Sequence, residues 1–85
     1  MNDIKTEIVN YGDLRKGDII FWYGAIVRII DVSHVKRKCG GVLKSSTYFT
    51  IEPYNKEAVD ILGDFYSHAT YGGIDELTVE RSTIL

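Results

Sequence analysis

Apolar positions along this chain fall into short β-type runs separated by glycine-bearing turns. Residues 4–10 are rich in β-branched side chains with partial alternation, the pattern of a short strand suited to a sheet edge. Residues 11–17 hold Gly12, Asp13 and Gly17 and read as a turn with Leu14 tucked inward. The strongest β signal follows, with one strand over 18–23 and the next over 26–32, joined tightly at Gly24 and Ala25. Neither run alternates cleanly, which implies that parts of both faces are covered. Residues 33–46 are polar and contain Gly40-Gly41. They read either as a long hairpin loop or as strand extensions around a glycine turn. Residues 47–52 form another strand, ended or edged by Pro53.

A change of period comes after Pro53. Asn55 is placed to cap a short helix over 56–62, and Gly63 to stop it. Residues 64–73 lack firm periodicity, and their Gly72-Gly73 pair marks a turn. Residues 76–81 alternate polar and apolar side chains and read as a closing strand. No repeat, low-complexity segment or linker divides the chain, so residues 1–85 are read as one domain. The expected fold class is mainly β (or a β-rich α+β variant). It has about five antiparallel strands around a single core and one short helix, most simply as a small barrel, since closure removes sheet edges.

Leu14, Lys16, Gly17, Asp18 and Ile20, then Gly24 and the apolar run from Ile26 to Val32, form a pattern of leucine, Gly-Asp, strand, glycine turn and second strand. Over residues 12–32 this resembles the opening of SH3-like barrels, including ribosomal and transcription-factor types. The resemblance implies a fold and leaves function open. The surface is less basic than in nucleic-acid-binding barrels of this kind. The acidic loop and aromatic groove of Pro-rich-peptide binders have no counterpart in the sequence. In size and composition the chain also resembles small phage or mobile-element proteins.

Composition sharpens the picture. With 45% hydrophobic and 26% charged residues the chain is globular, and its 85 residues allow only a small core. A single cysteine, Cys39, excludes an internal disulfide. With no apolar run of membrane-spanning length and no signal-peptide pattern at the N-terminus, the expected location is cytoplasmic. The formal charge of −2 conceals an asymmetry: residues 1–44 carry eight Lys/Arg against five Asp/Glu, and residues 45–85 two against seven.

The densest positive charge is Lys36, Arg37 and Lys38, with Lys44 and Arg28 nearby. It reads as a phosphate or acidic-partner contact, or as a solvated hairpin tip. Residues 65–73 concentrate Tyr66, His68 and Tyr71 with hydroxyls and glycines, a composition suited to protein recognition or to capping the open end of a barrel. Phe21, Trp22 and Tyr23 cannot all face one way; an outward Trp22 reads either as a binding anchor or as a ring covered by the helix or the C-terminal tail. The acidic residues Glu57, Asp60, Asp64, Asp75, Glu76 and Glu80 offer a negative face or merely a wet one. His68 with adjacent Ser67 lacks the geometry of a catalytic pair if both lie in a strand. His34, Cys39 and His68 have no zinc-ligand spacing, so no metal and no cofactor are expected. Cys39 beside Arg37 and Lys38 reads either as a thiol activated by its cationic neighbours or as a tolerated small residue.

The expected function is therefore non-enzymatic: a protein-binding module with contacts at Trp22, Tyr66, His68 and Tyr71 and rim charges at Glu57, Asp60 and Asp64. For a phage-derived chain, inhibition of a host protein is a natural use. Two alternatives stand beside it. One is nucleic-acid binding through Lys36, Arg37, Lys38 and Lys44. The other is a small enzyme or ligand binder around His68.

Overall fold

The computed structural model describes residues 4–84. In chain order the strands are β1 (Ile4–Asn10), β2 (Ile19–Trp22), β3 (Ala25–Cys39), β4 (Val42–Pro53), β5 (Thr70–Ile74) and β6 (Thr78–Ile84). A 3-10 turn at Tyr11–Asp13 follows β1, and the helix α1 (Lys56–Tyr66) lies between β4 and β5. All six strands form one antiparallel sheet in the order β1-β6-β2-β3-β4-β5. The mainly β class with one helix is as expected. The five-stranded barrel is corrected to six strands in a sheet that does not close, with β1 and β5 at its two edges.

The core lies on one face of this sheet. Ile20, Val27, Ile29, Phe49, Ile51 and Val79 point to it from four strands. Tyr11 and Leu14 cover it from the 11–18 segment, and Ala58 and Leu62 from α1. The opposite face is only partly covered. Ile19, Phe21 and Ile26 are half-buried there, which is why the central runs did not alternate cleanly. Gly17 and Asp18 tie the covering segment to the sheet: Gly17 N–H donates to the Ile29 carbonyl at 2.7 Å, and Ile29 N–H donates to the Asp18 carbonyl at 2.8 Å.

Residues 33–46 follow the second of their two readings, strand extensions around a glycine turn, and two other local readings change. β3 and β4 continue as a paired hairpin to Cys39↔Val42, turning on Gly40 and Gly41, both with positive φ as a two-residue primed turn demands. Gly72 and Gly73 do not turn; they sit inside β5, paired with Tyr48 and Thr47. The closing strand starts two residues later than read and runs on to Ile84. A β-bulge between Ile29 and Asp31 then reorients the long hairpin. The extra residue restores Val32 and His34 to the face of Ile29, and β3 leaves β2 behind at Arg28.

Candidate partner-binding groove

The site is built where α1 meets the β2–β3 turn. Asn55 caps the helix, its side chain accepting from Ala58 N–H at 2.9 Å. Ala58 and Leu62, four residues apart, bury against the sheet. The same spacing leaves Ile61 exposed beside them. Gly63 breaks the helical path at φ 73°, so the last residues of α1 swing away and carry Phe65 and Tyr66 to the surface. The expected stop at Gly63 is thus a kink with one further turn beyond it.

Across from the helix, Tyr23 and Gly24 connect β2 to β3 in a tight turn. Tyr23 adopts φ 50°, the only positive φ outside glycine among the described residues, and its side chain is 76% exposed. Tyr71 on β5 completes the wall, its hydroxyl donating to the Tyr66 carbonyl at 3.2 Å. Tyr23, Ile61, Leu62, Tyr66 and Tyr71 enclose a hollow of about 320 Å³, near the low end for ligand sites and suited to one or two side chains. Phe65, 82% exposed, packs edge-on against Tyr66 with ring centres 4.9 Å apart. Glu57, Asp60 and Asp64 are exposed on the same helix, with Lys56 as its only cation.

Trp22 does not line this hollow. Its ring faces the core, 5.1 Å from Phe49 and 5.0 Å from Tyr71 between centroids, with Tyr23 stacked edge-on outside it. The covering that sequence assigned to a helix or a tail comes from these aromatic rings. Ring-to-ring packing of this kind holds the groove floor in place.

No protein-family model matches the chain, and no curated protein matches it.

The remaining candidates scatter. His68 is exposed and stands outside the groove lining. Its Nδ1 lies 3.1 Å from Ser67 Oγ, a contact possible because Ser67 ends a helix and is not in a strand. Ser67 is buried, and its hydroxyl donates to the Asp64 carbonyl at 3.2 Å, which commits its one proton away from the imidazole. Among the acidic residues, Asp75 and Glu76 sit in the β5–β6 turn and Glu80 on β6, so the six are divided over three places. Arg28 is separate from the basic run, 3.5 Å from Glu52 and stacked over Tyr54. The side chain of Cys39 lies outside the described residues. Among the described residues no three His, Cys, Asp or Glu side chains come together, and no helix is long and apolar enough to cross a membrane.

Sequence reasoning missed Tyr23, Ile61 and Leu62, and it named Phe65 only as part of its segment. The available signal was the helix pattern: with Ala58 and Leu62 inward, Ile61 makes the apolar stripe wider than one buried face requires. It also missed a polar chain across three elements. Buried Thr47 donates to Asp75 Oδ1 at 2.7 Å and stands 2.9 Å from His34 Nδ1, whose N–H therefore donates to the threonine.

Proposed function

We propose that this protein is a non-enzymatic protein-binding module whose docking site is the groove between α1 and the Tyr23 turn. The carrying observation is a cluster of exposed aromatic and aliphatic side chains around an apolar hollow. Tyrosine and phenylalanine offer large contact area for little conformational entropy, and clustered exposure of this kind marks interaction surfaces. Tyr23 adds support. A bulky side chain at positive φ costs folding energy, and such residues concentrate at binding sites.

The partner is a protein segment that inserts an apolar or aromatic anchor and carries Lys or Arg beside it. Glu57, Asp60 and Asp64 supply the complementary rim, where charge governs approach and register more than strength. For a phage-encoded chain, occupation of a host surface in this way would be inhibitory. The likeness of residues 12–32 to SH3-like barrels is supported by the meander β2-β3-β4-β5 with β6 returning beside β2, and it bears on architecture alone.

Selection of random displayed peptides against the folded chain tests this reading. The expected consensus is an apolar anchor with basic flanks, whose binding is lost in Tyr23→Ala and Phe65→Ser. Selected peptides that are acidic, or that bind both variants as well as the parent, overturn it.

A further inference from the structure

At the other end of the β3–β4 hairpin lies a second surface with different chemistry. β4 pairs with β5 only as far as Ser46↔Ile74, and β3 has parted from β2 at Arg28, so residues 36–45 run on as a two-stranded ribbon, held at its foot where Asp75 N–H donates to the Ser45 carbonyl at 2.9 Å. Four strand residues in each arm reach roughly 13 Å beyond the sheet, within a molecule 49 Å in its longest dimension.

This ribbon carries Lys36, Arg37, Lys38 and Lys44, all exposed. Lys36 and Lys38 alternate onto one face, while Arg37 and Lys44 are ladder partners directly opposite each other on the other face. Like charges in that relation destabilise a sheet. Among the described residues none of the four forms an ion pair, since the salt bridges fall on Arg28 and Arg81. Val42, Leu43 and Lys44 line one face of a hollow whose other side is Ile74, Asp75 and Glu76; neither carboxylate pairs with Lys44, and Asp75 is already engaged by Thr47. Arg37 lies over the Tyr48 ring at 5.3 Å, which orients its guanidinium without neutralising it. At the tip, Val42 and Leu43 are 57% and 60% exposed. Unneutralised cations on a ribbon with two free edges also guard those edges against pairing with other chains, but their presence on both faces beside an apolar tip matches a polyanion that surrounds the ribbon.

We infer that residues 36–45 bind duplex DNA by entering its major groove. That groove is about 12 Å wide and admits a two-stranded β-ribbon. Cations on both ribbon faces then meet the phosphates of both walls, and Val42 and Leu43 reach the base edges, where thymine methyls accept apolar contact. The deep, narrow major groove of A-form RNA does not admit the ribbon. The acidic helix follows Tyr54, whose N–H donates to the Ile26 carbonyl at the opposite end of the hairpin, so its repulsion of DNA falls on the far side of the molecule, and Asp75 and Glu76 are the acidic groups beside the ribbon.

Fluorescence anisotropy of a labelled DNA duplex, with the intact chain as titrant, tests the inference. Four phosphate contacts predict a log–log salt slope of about −3 to −4, hence roughly 100-fold weaker binding between about 50 and 200 mM salt. In the Lys36→Gln/Arg37→Gln/Lys38→Gln variant the slope flattens by about 2 to 3, and circular dichroism confirms that the sheet is retained. Phe65→Ser leaves DNA binding unchanged, which separates this site from the groove. Three results overturn the inference: no anisotropy change at the lower salt, an unaltered slope in the triple variant, or equal affinity for an RNA duplex or for heparin.

Discussion

The ring of Tyr48 lies against Gly72, its ladder partner on β5. A Cβ built on Gly72 would stand 2.2 Å from Tyr48 Cδ1 and 2.6 Å from Cε1. The glycine is therefore required by the close approach of an aromatic ring, in a strand whose backbone is otherwise ordinary. Gly72→Ala forces the ring or the strand aside and is expected to cost about 1–3 kcal/mol. In the Tyr48→Ser background the same substitution should cost much less, because the obstacle is gone. A double-mutant cycle in urea measures the coupling. Additive costs would show that Gly72 serves some other need.

Thr47 joins His34 to Asp75 through one hydroxyl in a fully buried position. Thr47→Val keeps the shape but removes both hydrogen bonds, leaving the half-buried Asp75 without its donor. The expected loss is about 1–3 kcal/mol, whereas Thr47→Ser retains the chain of bonds and should lose less. The urea midpoint should fall with an unchanged slope. Equal stability of the valine variant and the parent would mean that the polar chain contributes nothing net.

What could be read along the chain was local. Asn55 starts the helix and Gly63 breaks its path, though a further turn follows, because capping and helix breaking depend on neighbours in sequence, and Leu14 lies inward by its own apolarity in a polar turn. Gly40-Gly41 and Gly72-Gly73 look alike as dipeptides. Only the first pair turns; the second makes room for Tyr48 on one side and for Leu77 and Tyr11 on the other, partners set by pairing across the sheet. The groove was half legible for the same reason. Tyr66, Tyr71 and the acidic rim lie within one stretch of chain, but Tyr23 comes from a turn more than thirty residues earlier. The strand count fell one short because β5 (Thr70–Ile74), with two glycines in five residues, carries no periodic signal, and the barrel gives way to an open sheet with β5 at one edge and the expected edge strand β1 at the other.

Tyr11 supplies a pH dependence. Burial raises its phenol above the ordinary value of 10.0, and the nearby Tyr23 pushes it in the same direction. The neutral phenol is thus favoured by folding, so this contribution is intact below the unfolded value near pH 10 and is lost as pH rises through the higher folded value. Tyr11→Phe keeps the edge-on contact with Phe49, at 5.5 Å between centroids, and removes the titrating proton. Denaturation midpoints from neutral to strongly alkaline pH should fall less steeply in the variant. Parallel alkaline limbs for the two proteins would exclude Tyr11 as a source.

Tyr23 sets stability against binding. In the Tyr23-Gly24 turn both residues have positive φ, and Asn-Gly is the pair that such turns favour. An L-residue with a Cβ in this region costs roughly 1–2 kcal/mol, and asparagine is among the few that relieve it. Against this stand the edge-on contact with Trp22 and a looser one with Tyr71 at 6.4 Å. Aromatic pairs contribute about 0.5–1.5 kcal/mol when well packed, and a ring 76% exposed falls at the low end. Backbone relief therefore wins, and Tyr23→Asn should raise stability by about 0.5–1 kcal/mol, which in a domain of this size lifts Tm by roughly 2–8 °C. The same variant should bind groove-selected peptides at least tenfold more weakly, since it deletes one wall of the hollow. A lower Tm would show that the ring holds the turn together, and a higher Tm with undiminished peptide binding would remove Tyr23 from the docking surface.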